Sequence, residues 1–488
     1  MRPVSVFVDP VLVERFAPQV YSTLRYVLTG GGLPWTQVQA PDAVCDVAYL
    51  LDPSRSRARV TIAANPARWE QPDACVFDRL DASDARGPMF VGDRNDSSTW
   101  VHAASTDECR RDVIFDIFWL LTGQDERRWP RHRHAFIDLS SAPPDRRQLL
   151  VEGTASRLAT ALADRVAIRT QTEPIARWPD GKRAAAAGSH DVDYPEVVRA
   201  LEPFRVLRRG GAGRWKEAID VGLGTRHHWQ FAAWTALEAS LGFRSAFYFS
   251  ARCGSLTRRA LVAPDVLYDI RRPRFQRLFG ELKNEGFEIG LHVSYTACEL
   301  PDGVLTEKRA LEDAARTEVV GGRHHYWRLL PADPMDTLRQ HERAGLSYDA
   351  SLTFDRYLGW RRASTWPFFP FDATLGRDLT TLQLPTGWMD DQIFSRAHFN
   401  PPGERQALLS ALVDTVVAQG GCLLVDVHEY VFDDGLFPGW AESYRLLFER
   451  LAARRDVWLA TPADIARHWR ARHQTIVRLS SGLGASTF

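Results

Sequence analysis

The spacing of apolar and polar positions changes several times along this chain of 488 residues. Near its start, short β-like runs recur: VSVFV at 4–8, DVAYLL at 46–51, ARVTIA at 58–63 and ACVFD at 74–78. Runs of this length, rich in β-branched and aromatic residues, read as strands. Over 110–123 the period becomes helical. Val113, Ile114, Ile117, Phe118 and Leu121 of RRDVIFDIFWLLTG recur at helical spacing. A second amphipathic helix is predicted over 152–170. It leads into WPDGKR at 178–183, a Pro, Gly and charge-rich joint that suits a boundary. Residues 1–150 therefore read as a small α/β unit, and 151–183 as a linking helix and joint.

From 184 onward strands and helices alternate. Strands are predicted over 184–191, 244–250, 287–293, 380–385, 422–430 and 457–461. Helices are predicted over 229–242, 271–286, 306–319, 338–345, 403–421 and 440–455, with a last one opening at Pro462. Gly242 and Gly286 stop two of them. Such alternation means βα units around a parallel sheet. Six or seven units within 184–475 favour a closed or distorted barrel over an open sheet. The fold class expected is α/β: a distorted (β/α) barrel behind a smaller α/β N-terminal domain, with a tail at 476–488.

Composition narrows the class of function. Hydrophobic residues make up 45% and charged residues 25%, which excludes disorder and coiled coil as the main architecture. Lys+Arg and Asp+Glu both number 61, so the basic excess of a nucleic-acid binder is missing. Six cysteines show no CxxC spacing, and reduced thiols are expected. The apolar run Val4–Val8 is interrupted by Asp9 and Glu14, too short and too acidic for a signal-peptide core. No stretch approaches about 18 uncharged apolar residues, so no transmembrane segment and a cytoplasmic location are expected.

The residues that could carry chemistry gather where strands end. In SHDVD, Asp191 and Asp193 point to one side of an extended segment and would repel unless a cation lay beside them; alone, the pair also reads as an Asp-rich turn. His292 follows the apolar run FEIGL, and His428 follows the doubly apolar CLLV, both at strand ends where barrel sites gather. His324 and His325 are adjacent, so one at most faces a given site from an extended segment. The block GWRRASTWPFFPFD at 359–372 offers Arg361 and Arg362. One carboxylate and two imidazoles match three-ligand catalytic zinc chemistry. A second carboxylate and a third histidine remain for base and acid, the parts of metal-assisted amide or ester hydrolysis.

The order of these motifs resembles the polysaccharide deacetylases, the NodB-homology group of carbohydrate esterases. An aspartate pair comes first, then a histidine segment, an arginine/proline segment and a strand-end histidine. The resemblance is to a divergent branch with a (S/T)HDVD opening, GLHxSY, a later R-x-H-Y segment and an N-terminal α/β extension that includes FDIFWLLTGQDE. It implies a distorted (β/α) barrel and a divalent metal ion, usually zinc. It implies Asp193 as metal ligand, Asp191 as general base, and His428, matching the final L-x-H, as acid. His292 resembles the first histidine of H-x-x-x-H, but Thr296 stands at the second. His325 from RHHYWR is the proposed replacement, with His324 as rival. Arg361 resembles the arginine that steadies the base, Asp390 of GWMDD falls near the motif that tunes the acid, and Asp426 occupies the leucine position of L-x-H.

The activity implied is removal of N-acetyl or O-acetyl groups from an acetylated sugar or polysaccharide intermediate. Two rivals stand beside it. Thr296 could mark a lost metal site in an inactive carbohydrate-binding or scaffold protein of a surface-polysaccharide pathway. Alternatively, the same metal could serve an amidohydrolase of peptide-like or natural-product amides. Trp327, Trp360, Trp366 and Trp388 are candidate sugar-stacking platforms.

Overall fold

The N-terminal runs form a six-stranded sheet of β1 (Val4–Val8), β2 (Trp35–Val38), β3 (Val47–Leu50), β4 (Val60–Ala63), β5 (Trp100–His102) and β6 (Asp107–Cys109), ordered β2-β1-β3-β4-β6-β5. A computed structural model describes residues 2–39, 45–72, 100–103, 105–127, 129–131, 134, 136–140, 142, 144–196, 202–210, 212–255, 264–394 and 401–481. The run expected as a strand at 74–78 lies outside them. Only the β5–β6 pairing is antiparallel. Asp9 closes β1 and caps the helix Pro10–Leu24 by accepting from Val11 N. Asp112 likewise caps Val113–Thr122, which stops at Gly123 in the left-handed region, φ 60°. That helix is apolar on nearly every side because it is covered on nearly every side.

The second sheet is the barrel. Its strands are β7 (Ala184–Val192), β8 (Ala246–Phe249), β9 (Glu288–Val293), β10 (Gly321–His324) and β11 (Tyr348–Asp349). After a small hairpin of β12 (Phe371–Asp372) and β13 (Arg377–Asp378) come β14 (Leu382–Gln383), β15 (Thr386–Met389), β16 (Cys422–Asp426) and β17 (Val457–Leu459). The order is β14-β11-β10-β9-β8-β7-β16-β15, with β17 also on β7, and every pair is parallel. The two edge strands, β14 and β15, are consecutive in the chain. Leu384 N donates to Asp349 O at 2.9 Å, and Leu424 N donates to Pro385 O at 3.1 Å. One extended segment thus serves both edges, and the sheet closes on itself. Pro385, which has no N–H, stands where the segment changes partners.

Close packing explains two irregular strands. β7 carries a glycine at 188 because its surroundings leave no room there: a Cβ would sit 2.2 Å from Tyr444 Oη. β10 begins with two glycines because a Cβ on Gly321 would meet the Tyr348 ring at 2.0 Å, and one on Gly322 would meet Leu291 O at 2.0 Å. Those glycines also hid β10 from the periodicity. Helices fall close to the expected ranges, for example Pro273–Asn284 and Pro402–Gln419, but a hairpin of Glu202–Gly210 and Trp215–Leu223 was not foreseen.

The boundaries drawn at 150 and 183 separate parts that share a core. One apolar cluster contains Val6 and Ile62 of the N-terminal sheet, Phe115 and Ala159 of the connecting helices, and Ala185, Tyr248 and Leu424 of the barrel. The last helix runs on through Ser481. Its Arg472 donates to the carbonyls of Thr29, Ile175 and Ala176, and its Ser480 hydroxyl accepts from Trp35 N, so it ties both units together. Cys45, Cys109, Cys253, Cys298 and Cys422 are free thiols. No helix among the described residues is long and apolar enough to cross a membrane.

Candidate active site

Asp193 lies just past β7, His292 lies on β9, and His325 directly follows β10, so three strand ends converge. His292 Nε2 is 3.1 Å from Asp193 Oδ1, and His325 Nε2 is 3.3 Å from Asp193 Oδ2. All three side chains are buried, and one ligand atom from each lies within 4.8 Å of the others. Among the described residues, Asp193 Oδ1, His292 Nε2 and both ring nitrogens of His325 have no hydrogen-bond partner. Each such orphan costs about 1–3 kcal/mol when buried. Bare donor atoms facing one point fit a divalent cation, and a carboxylate with two imidazoles is a catalytic-zinc donor set. The rest of His292 fits as well. Its Nδ1 lies 3.1 Å from Arg323 O, an acceptor only, so Nδ1 carries the proton and Nε2 keeps its lone pair. Burial pushes the Asp193 carboxyl up, but His325 and His292 outweigh it and hold it well below the usual range.

Asp191 shares the barrel-facing side of β7 with Ser189. Its Oδ1 accepts from Arg323 Nη1 at 2.8 Å, and its Oδ2 lies 3.8 Å from His292 Nδ1. The same Nη1 is 2.8 Å from Asp426 Oδ1, while Arg323 Nη2 donates to Ser189 Oγ at 2.9 Å and Nε to Ala350 O at 3.2 Å. Burial opposes the Arg323 charge, yet Asp191 and Asp426 together keep it ionised. Burial lifts the Asp426 carboxyl to about 7 in spite of Arg323. Arg323 gives no signal in the sequence because the glycines of β10 break the strand pattern; in the strand, alternation from His324 turns it inward.

His428 stands beyond β16, opposite the cluster. Asp390, at the end of β15, accepts from His428 N at 2.7 Å and lies 3.0 Å from His428 Nδ1. That leaves Nε2 facing Asp193 Oδ2 at 3.6 Å. Burial disfavours the imidazolium, but Asp390 outweighs it and raises its pKa well above the ordinary histidine value. Glu429, also unforeseen, accepts from Asp193 N and Tyr194 N at 3.0 Å each and so fixes the loop that presents Asp193.

Three expectations land elsewhere. Arg361 does not reach Asp191. Its Nη2 donates to Glu126 Oε2 at 2.8 Å, inside the contact with the N-terminal unit. The reason is direction: its segment descends to the barrel's far end, where Thr365 O accepts from Cys422 N, the first residue of β16. His324 faces outward, its Nε2 2.7 Å from Nε2 of His341 on the helix Pro334–Arg343. Trp360, Trp366 and Trp388 are fully buried and offer no platform, whereas Trp327 lines the cleft above the cluster.

That cleft has a volume of about 740 Å³, ample for a sugar unit. Asp191, Asp193, His325, Asp390 and His428 line its floor, and Tyr194, Tyr326, Trp327, Tyr430 and Trp440 supply aromatic walls. The N-terminal unit reaches one wall, since His134 stacks on Tyr326 at 4.4 Å between ring centres.

No protein-family model and no curated protein matches the sequence. Solved structures do match, and several are polysaccharide deacetylases. One, from Mycobacterium smegmatis and assigned to that group, is 21% identical, covers 62% of this chain and 95% of its own, and has a TM-score of 0.41. The Puue allantoinase is 16% identical over 62% of this chain and 95% of its own, with a TM-score of 0.41. The peptidoglycan deacetylase PdaC from Bacillus subtilis is 12% identical over 62% and 98%, with a TM-score of 0.27.

Proposed function

We infer that the protein is a metal-dependent hydrolase that removes N-acetyl or O-acetyl groups from a carbohydrate. The observation that carries this reading is the buried set Asp193, His292 and His325, whose Oδ1, Nε2 and ring nitrogens lack hydrogen-bond partners, flanked by an arginine-held carboxylate and a carboxylate-held histidine. The order of motifs along the chain, similar to that of polysaccharide deacetylases, supports the choice of acetyl groups. Asp193, His292 and His325 would hold a divalent cation, zinc before others. Bound there, such a cation supplies Lewis acidity at neutral pH without consuming a proton.

The remaining steps belong to side chains. Asp191, fixed by Arg323, takes the proton from the attacking water. Arg323 holds that carboxylate in place through its Nη1. His428 is held through Nδ1 by Asp390, so its Nε2 can donate to the leaving amine or alkoxide. The aromatic walls take the apolar faces of the sugar and exclude water from the floor. The products are acetate and a sugar with a free amine or hydroxyl.

The test is acetate release from acetylated chito-oligosaccharides by the metal-loaded protein, with acetyl-xylan and small amides alongside. Release from a carbohydrate, lost in Asp191→Asn, is the expected result. Release from the amides alone would redirect the reading to another amidohydrolase. Tight sugar binding without release would redirect it to a carbohydrate-binding protein.

A further inference from the structure

The helical hairpin of Glu202–Gly210 and Trp215–Leu223 turns apolar side chains outward. Phe204 is 72% exposed, Trp215 58%, Ile219 56% and Leu223 70%. Trp215, Ile219 and Leu223 are spaced i, i+4, i+8 and form one solvent-facing stripe, while Ala218 and Val221 form the buried face. Phe204 extends the stripe, since its neighbour Pro203 packs beside Gly222. A helix with an apolar face on each side has a second surface to cover.

Charge indicates what covers it. Residues 202–226 hold six cations against three acids in a chain that is otherwise balanced. The acids turn away from the stripe. Glu202 pairs with Arg205 at 3.1 Å, Asp220 lies 3.6 Å from Arg226, and Glu217 buries an oxygen. The charged residues described as exposed in this hairpin are Arg208 and Lys216. A second copy of the chain would set cations against cations across a two-fold interface. A tryptophan beside a lysine on a short amphipathic helix is instead the composition of an interfacial anchor. The hairpin also borders the cleft: Arg214, which precedes Trp215, lines it and donates to the carbonyls of Gly435 and Leu436.

We propose that the outer face of this hairpin docks the protein on an anionic membrane surface, with the cleft at the lipid–water boundary. Where the hydrolase reading holds, a sugar carried on a lipid would meet the catalytic floor in this orientation.

The test is co-sedimentation with vesicles of equal parts phosphatidylcholine and phosphatidylglycerol, beside vesicles of phosphatidylcholine alone. The full chain partitions onto the mixed vesicles, less so as salt rises. The double variant Trp215→Ser/Leu223→Ser weakens partitioning by about tenfold or more, and Lys216→Glu by about fivefold, with melting temperatures unchanged. Wild-type protein that stays in the supernatant, or variants that bind as well as wild type, would overturn the proposal. So would a wild-type dimer in sedimentation equilibrium that the double variant dissociates. Partitioning is read without acetate release, so either reading can fail while the other stands.

Discussion

His324 and His325 are adjacent in sequence and end on opposite sides of the barrel wall. His324 meets His341 ring to ring at 2.7 Å, and because one nitrogen of that contact must accept, at least one ring is neutral. Burial, with the His341 and His292 charges, holds the His324 pKa well below the ordinary value. His325, one residue on, faces Asp193 with both nitrogens bare. The difference comes from the pleat and from partners, not from residue type. A histidine with a partner on the helix side serves packing; one aimed at a buried carboxylate with its own nitrogens bare is free to serve as a ligand. Arg323 and Arg361 repeat the lesson. Both are buried on carboxylates, but only Arg323 touches the residues that face the cleft.

The largest effects are expected on the inner face of the barrel wall. Asp191→Asn and His428→Ala should each lower acetate release by about 10²–10⁴-fold with unchanged circular dichroism. Wild-type rates in both would remove those residues from the chemistry. Next come the two arginines. Arg323→Leu strands the buried Asp191 and Asp426 and should cost about 3–5 kcal/mol in urea unfolding, whereas Arg361→Leu leaves Glu126 paired with Arg362 at 3.0 Å and should cost less. At equal folded fraction only the Arg323 variant should lose turnover; equal losses would erase the distinction.

The Glu288 carboxyl is held by a tyrosine and a backbone amide instead of a paired arginine. Glu288 is half-buried, accepts from Tyr348 Oη at 2.5 Å and from Ala463 N at 2.8 Å, and desolvation of its carboxyl lifts its pKa to about 7. The folded chain then keeps a proton that the unfolded chain has released above its ordinary value of 4.5. Stability from this group is therefore present at low pH and falls as pH rises from 4.5 through about 7, by roughly 3 kcal/mol in all. Glu288→Gln should flatten that part of the stability–pH curve; an unchanged slope would assign it to other groups. The smallest effect belongs to the outer face. His324→Leu strands His341 Nε2 and should cost about 1–3 kcal/mol in urea while leaving turnover per folded molecule intact.

The parallel alternation and the strand ends at Asp191, His292 and His428 were legible because β7, β9 and β16 carry apolar or small runs that stop at a polar residue. β10 was not legible. Its Gly321 and Gly322 answer to the Tyr348 ring and Leu291 O, contacts between strands far apart in sequence. Arg323 went with it, and Arg361 took its place in the reading because both are arginines near aromatics and only the descent of 359–366 separates them. Barrel closure was hidden as well: β14 and β15 look like one strand until each half is seen pairing with a different neighbour. Trp360, Trp366 and Trp388 looked like platforms, but the core claims large apolar rings first.

His325, and not its neighbour, is the residue proposed to complete a metal centre with Asp193 and His292. Metal content by mass spectrometry tests it most directly, on wild type, His325→Ala and His324→Ala prepared identically and loaded with zinc. About one tightly held divalent ion per chain is expected in wild type and in His324→Ala, and its loss in His325→Ala. Full occupancy in His325→Ala, or an empty wild type after loading, would contradict it.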